Sequence, residues 1–257
     1  GVELARHLAT ALESRLKQRT VPLNREGGST IVGMTALANA PADGNTILVG
    51  PVTALTVHTL RDRKLSFKKE SFTPVCQTFE NVFFVAGAAN APIADFSGVL
   101  AQARARPGAL RYGHPGVASS PHLAGAELWQ KAGVQLTDIP YKGEPPMVQP
   151  FLSGDLELGI ITWSLLASQK LKPYAVFAEI RLPDYPQVPT VGELGYVINP
   201  STYGGVFMRA GTPADAVARV EAACRDVVAS AGYREAAMRL HQLPNFLPSA
   251  KFAERID

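Results

Sequence analysis

Over most of its length the sequence alternates between short apolar runs and longer segments of helical periodicity. Such a chain has to cover its apolar strands with helices, which constrains it to a layered α/β architecture. The first segment is helical. Leu4, Leu8, Leu12 and Leu16 recur every four residues with charges between them, predicting an amphipathic helix over about residues 2–18. Thr20 to Leu23 reads as a short strand, Asn24 to Ser29 as a turn, and Ser29 or Thr30 as the cap of a helix through Asn39. Thr46 to Val49 reads as a buried strand ending at Gly50-Pro51. Further strands are expected at Val75, Val82–Ala86, Leu110–Gly113, up to Ile139-Pro140, and at Leu156–Ile161, Tyr174–Ala178 and Gly205–Met208. Between them lie apolar stripes of helical period, such as Phe96, Val99, Leu100 and Ala103. A long stripe follows at Val217, Val220, Cys224, Val227 and Val228. This alternation predicts mainly parallel sheets. Pro150 falls inside a helix expected to run to Leu152 and should kink it.

Bulk properties remove several classes of function. The 257 residues suffice for two lobes of ordinary size, and a content of 46% hydrophobic and 18% charged residues is that of a globular chain. Basic and acidic residues number 25 and 22, with no long basic run, so nucleic-acid binding has no support. The longest apolar run, Val82 to Ala94, is broken by Asn90 and Pro92, and spanning a bilayer takes roughly 20 apolar residues. The sequence shows no signal peptide. It opens at Gly1 directly on a helical pattern, so a preceding segment is expected to have been removed or to be missing. Cys76 and Cys224 are compatible with one bridge or with none.

Two strand-to-helix junctions stand out. In one, Ser119 or Ser120 is placed as N-cap with Pro121 in the first turn. In the other, Tyr141-Lys142-Gly143 leads into Pro145-Pro146. The first N–H groups of a helix have no intrahelical acceptor and carry partial positive charge, so they bind carboxylates without a charged side chain. In an open α/β sheet such junctions lie at the carboxyl ends of strands, where ligands bind. Ordinary capped helices share the pattern. Catalytic and metal signatures are missing from the sequence. The histidines, His7, His58, His114, His122 and His241, include no pair at the i, i+4 spacing of a metal-binding helix, and no nucleophile elbow or phosphate-binding loop occurs. No cofactor and no metal is expected. Cys224 and Trp129 read as core. Trp163, directly after a buried strand, reads as a loop residue facing a cleft.

A set of motifs runs in order along the chain. They are Asn24-Arg25-x-Gly27, Ala42-Asp43-Gly44-x-Thr46-Ile47-Leu48, Phe72-Thr73-Pro74-Val75, and Pro107-Gly108-x-Leu110-x-Tyr112-Gly113. Then come Gly116-x-x-Ser119-x-x-His122-Leu123, Pro140-Tyr141-Lys142-Gly143, the segment from Leu182-Pro183-Asp184 to Gly195-Tyr196, and Gly211-Thr212-Pro213. In this order they resemble the Bug family of periplasmic solute receptors, the binding proteins of tripartite tricarboxylate transporters. The resemblance implies a type II periplasmic-binding-protein fold, with two α/β lobes around a ligand cleft. It implies a periplasmic, non-enzymatic receptor for a small organic carboxylate, acting as a monomer with membrane permease subunits as partners. Carried over by motif, the ligand-binding candidates are Thr53, Ala54, Ser119, Ser120, Lys142, Gly143 and Glu144, with Trp163 and Ser164 on a variable specificity loop. The expected lobes are residues 1–85 plus 207–257 and residues 86–206, the strands at Val82–Val85 and Gly205–Met208 serving as crossings. Both cysteines then fall in the first lobe, which leaves a bridge or two free thiols open. Glu144 departs from the family, which usually has a small residue there. A carboxylate would repel an anionic ligand or greet an amine or hydroxyl, and it also suits the first turn of a helix. Of the strand and Gly-Gly loop with which the family opens, Gly1 would be the remnant. A sensor presenting its ligand to a membrane kinase, an enzyme on the same two-lobe fold, and the ligand-sensing half of a transcription regulator are the competing readings.

Overall fold

A computed structural model describes residues 2–25, 30–58, 65–198 and 203–256. The chain divides into two units, Gly1–Asn81 with Ser201–Asp257, and Val82–Pro200. The crossings precede the strands that were expected to contain them. Among the described residues, Phe83–Gly87 pairs only within the second unit's sheet and Tyr203–Arg209 only within the first's. Cuts after residue 85 and before residue 207 would have divided both strands, so each lobe boundary moves ahead of its strand.

Unit 1 is built on a four-stranded sheet in the order β1 (Leu48–Pro51), β8 (Tyr203–Arg209), β2 (Phe72–Asn81), β9 (Gln242–Pro248). Every neighbouring pair is antiparallel. The expectation of mainly parallel sheets fails here because strands that adjoin in space come from chain segments on either side of the inserted unit. Alternation along β8 sends Val206 and Met208 to one core and Tyr203 and Phe207 to the other. The first core receives Leu4, Leu8 and Leu12 of α1 (Val2–Leu16) and Val220, Cys224 and Val227 of α7 (Ala214–Ala229). The second receives Met34 and Leu37 of α2 (Ile31–Ala38) and Phe252 of α9 (Ser249–Ile256). Between α7 and β9 lies α8 (Ala231–Arg239), capped by the Ser230 side chain. Cys76 and Cys224 are joined by a disulfide, with Cα atoms 6.8 Å apart, inside the first core.

Gly205 shows how closely β8 and β2 approach: a Cβ there would sit 2.0 Å from the Cys76 carbonyl oxygen. At the end of β2, Arg255 donates to Gln77 Oε1 at 2.9 Å and is ion-paired with Glu80, both charged side chains being mostly buried. The guanidinium also lies over the Tyr203 ring, 4.2 Å from its centroid. Two local expectations fail in this unit. Thr20 to Leu23 is not a strand: the Thr20 N–H and hydroxyl bond the Glu13 carboxylate and the hydroxyl also donates to the Ala9 carbonyl, folding the segment back on α1 with Val21 and Leu23 exposed. Thr30 occupies the N-cap position of α2 but has φ 82° and makes no side-chain cap. Ser29, like Gly27 of the Asn24 motif, lies outside the described residues.

Unit 2 carries a five-stranded sheet in the order β5 (Thr137–Pro140), β4 (Arg111–His114), β6 (Leu158–Thr162), β3 (Phe83–Gly87), β7 (Lys172–Phe177). β4 is parallel to β5 and to β6, while β3 is antiparallel to β6 and β7. One face packs against α3 (Phe96–Ala105) and α4 (Ser120–Lys131) through Val99, Leu100, Leu128 and Trp129. After β5 a 3₁₀ turn, Pro145–Met147, leads into α5 (Val148–Ser153). Pro150 therefore sits in the first turn of a short helix, where its missing N–H has no intrahelical acceptor to lose. At that position proline breaks no helical hydrogen bond and gives no cause for the expected kink. Trp163 begins a helix, α6 (Trp163–Gln169), and is 1% exposed, so it is not the loop residue the sequence suggested. Its ring packs edge-on against Tyr185 at 6.4 Å between centroids.

Candidate functional site at the strand-to-helix junctions

The parallel strands β5, β4 and β6 lie side by side and so end on the same edge of the sheet. Each end leads into a helix or helical turn, and backbone bonds tie the three exits together. From the β5 exit, the Tyr141 N–H donates to the His114 carbonyl (3.0 Å) and the Gly143 N–H to the Pro115 carbonyl (3.1 Å). From the β6 exit, the Thr162 N–H donates to Glu144 Oε1 (2.6 Å) and the Thr162 hydroxyl to Glu144 Oε2 (2.7 Å). Thr162 in turn caps α6, its oxygen accepting from the Leu165 N–H. Burial raises the Glu144 pKa, and its two bonds to Thr162 work against that rise.

Of the two capping candidates, Ser119 is the N-cap of α4 and Ser120 its first residue. Its hydroxyl accepts from the His122 N–H at 3.3 Å, and Pro121 stands in the first turn. The loop that presents it is tightly constrained. Gly116 has φ 142° and Ala118 φ 60°, the latter a left-handed conformation uncommon for alanine. Two histidines hold this loop. His114, fully buried, places Nδ1 2.9 Å from the Gly116 carbonyl, and its Nε2 faces Asp138 Oδ2 at 3.4 Å. His122 Nδ1 accepts the Ala118 N–H at 2.9 Å. The two rings lie 4.3 Å apart. The His122 pKa is lowered, chiefly by burial and then by His114 beside it, with Asp138 acting the other way.

Among the described residues, His114, His122 and Asp138 form the cluster able to offer a metal three ligand atoms, all within 4.8 Å of one another. Helical spacing did not reveal it because the residues come from β4, α4 and β5. The hydrogen bonds argue for a different use. The lone pair of His122 Nδ1 is taken by Ala118, which leaves the proton of the neutral ring on Nε2. Asp138, for its part, is half exposed. The cluster braces the Ser119 loop.

The structure thus gathers Ser119, Ser120, Lys142, Gly143, Glu144, Trp163 and Ser164 around adjacent exits of one sheet, and it divides their roles. Ser119 caps a helix, Glu144 joins two exits, Trp163 is buried, and Lys142 and Ser164 are exposed. Thr53 and Ala54 belong to unit 1. Ala54 is fully buried in its core, at the start of a π-helical turn, Ala54–His58, and Thr53 is half-buried beside it.

The family model of the tripartite tricarboxylate transporter family receptor matches residues 4–249. The chain belongs to this receptor family. A protein of Pseudomonas sp. strain P51, described as a UPF0065 protein in the tcbD-tcbE intergenic region, is 30% identical over 92% of this chain and 72% of its own length. Protein BugT of Bordetella pertussis is 31% identical over 75% of this chain and 61% of its own length. Among solved structures, a TctC solute-binding protein from Polaromonas, without ligand, superposes with TM-score 0.86 at 25% identity, covering 98% of this chain and 88% of that one. An R. palustris protein with adipate gives 0.79 at 25% identity over 98% and 87%. MatC from Rhodopseudomonas palustris with bound malate gives 0.68 at 26% over 93% and 84%. The fold is that of the two-lobed periplasmic binding proteins. Among the described residues no helix is long and apolar enough to cross a membrane.

Proposed function

We propose that this receptor captures a small organic carboxylate in the periplasm and delivers it, as a monomer and without catalysis, to the membrane permease subunits of a tripartite tricarboxylate-type transporter. The observation that carries the reading is the joining of three strand exits at one edge of the unit 2 sheet, with the N-terminus of α4 among them. Family members that hold adipate and malate give the ligand class. The binding donors are assigned to the α4 N-terminus with Ser119 and Ser120, and to the segment Lys142-Gly143. Backbone N–H groups at these places meet an anion without the cost of burying a cationic side chain. Ser164 beside the same edge and Thr53 with Ala54 in unit 1 are carried as further candidates from the family motifs. Trp163 contributes by supporting α6 from within the core.

A thermal-shift screen of mono- and dicarboxylates, followed by calorimetry, tests this. A ligand at 100 times its Kd adds about 2.7 kcal/mol of stability. Replacing Ser119 by a bulky residue should abolish binding while the fold persists. Undiminished affinity in Ser119→Tyr and Thr53→Tyr would place the pocket elsewhere.

A further inference from the structure

The Glu144 carboxylate has a position that the sheet order makes informative. Glu144 follows β5 and Thr162 ends β6, yet β4 lies between those two strands. The main chain after β5 is bonded to the exit of β4 through the Tyr141 and Gly143 N–H groups, and from there the Glu144 side chain bonds Thr162, beside the loop bearing Gly116 and Ser119. An anionic group of the protein therefore already stands among the exits where a ligand carboxylate is expected. It accepts hydrogen bonds from the N–H and hydroxyl of Thr162. Among the described residues no lysine, arginine or histidine forms an ion pair with it. Lys142, two residues before it, is exposed.

A carboxylate without a cation, partly withdrawn from water, repels a second carboxylate and attracts a hydrogen-bond donor or a cation. Each Glu144 oxygen accepts one bond from Thr162 and keeps further acceptor capacity. We infer that Glu144 is a specificity-determining residue that selects ligands with one carboxylate and a donor group, an ammonium or a hydroxyl, over dicarboxylates of the same length. This inference rests on the receptor reading above. It sets the chain apart from the relatives crystallised with adipate and malate.

The test compares Kd values by calorimetry for matched series of three to six carbons: the dicarboxylate, the ω-hydroxy acid and the ω-amino acid. Examples are succinate with 4-hydroxybutyrate and 4-aminobutyrate, and adipate with its 6-hydroxy and 6-amino counterparts. In the wild-type protein the amino or hydroxy member of the best-binding length should bind at least tenfold more tightly than the dicarboxylate. Glu144→Gln, nearly the same shape without the charge, should reduce that preference at least tenfold. Glu144→Asp should keep it. A melting curve for each variant separates selectivity from folding, and Glu144→Ala replaces Glu144→Gln should the latter fold poorly. Tight binding with the same ratio in Glu144→Gln and wild type, or a wild-type preference for the dicarboxylate, overturns the inference and leaves the receptor reading standing. Absence of binding across all series in both folded proteins overturns the receptor reading and this inference together.

Discussion

The two units solve the same packing problem with different chemistry. Unit 1 has an antiparallel sheet, a disulfide in one core, and a mostly buried Arg255–Glu80–Gln77 group at the end of β2. Its polar bonds are spent on holding secondary elements to each other. Unit 2 has no cysteine, and its parallel strands bring three helix entrances to one edge. There the polar bonds fix loops: His114 and His122 on the Ser119 loop, Glu144 between two exits. Antiparallel neighbours put successive connections at opposite ends of a sheet, whereas parallel neighbours gather them at one end. The difference between the sheets thus determines which unit can present several helix N-termini together.

Both tryptophans, Trp129 and Trp163, lie in unit 2, so fluorescence follows that unit while circular dichroism follows both. The contrast can be broken with this pair of signals. The largest effect is expected on replacing Cys76 and Cys224 by alanine. Opening a loop with a sequence separation of 148 should cost about 5 kcal/mol. The dichroism transition in urea should move to lower concentration while the fluorescence transition stays. Coincident movement of both would show that the units unfold as one. Next is Glu80→Ala, which strands the Arg255 guanidinium in a mostly buried site and should cost about 3 kcal/mol, again visible in dichroism first.

Smaller effects belong to unit 2. Ser119→Ala removes the α4 cap and should lower stability by about 1 kcal/mol, now in the fluorescence transition. The shallowest effect is one of pH. The folded-state pKa of His122 is depressed below its ordinary 6.5, so the unfolded chain binds the proton more readily. The stability linked to His122 is complete above that value and is lost as pH falls from 6.5 through the lower folded-state pKa. Comparing wild type with His122→Gln across that window isolates it. A fluorescence midpoint with the same pH slope in both proteins would remove His122 from the account.

Much of this was legible in the residues. Leu4, Leu8 and Leu12 announced the face of α1 because a helix repeats its environment locally. Ser119-Ser120-Pro121 announced the start of α4 because capping is decided within four residues. Sheet direction was not legible, since β8 joins β1 and β2 only after the chain has built a whole second unit. β9, with prolines at Pro244 and Pro248 inside it, carries little strand signature and is held at the edge of its sheet by pairing with β2. Glu144 stands out by residue type, but its partner Thr162 lies beyond an intervening strand, a relation no periodicity encodes. The same holds for the meeting of His114, His122 and Asp138.

The placement of the disulfide has a consequence for how this receptor would respond to proteases. All of unit 2 lies between Cys76 and Cys224 in sequence. A single cut anywhere in that stretch therefore releases no fragment: the two pieces stay one covalent molecule until the bridge is reduced. On a gel without reductant such nicked protein would run as a single species, and with reductant as two. The bridge makes the segment that carries the candidate site cleavable without being losable.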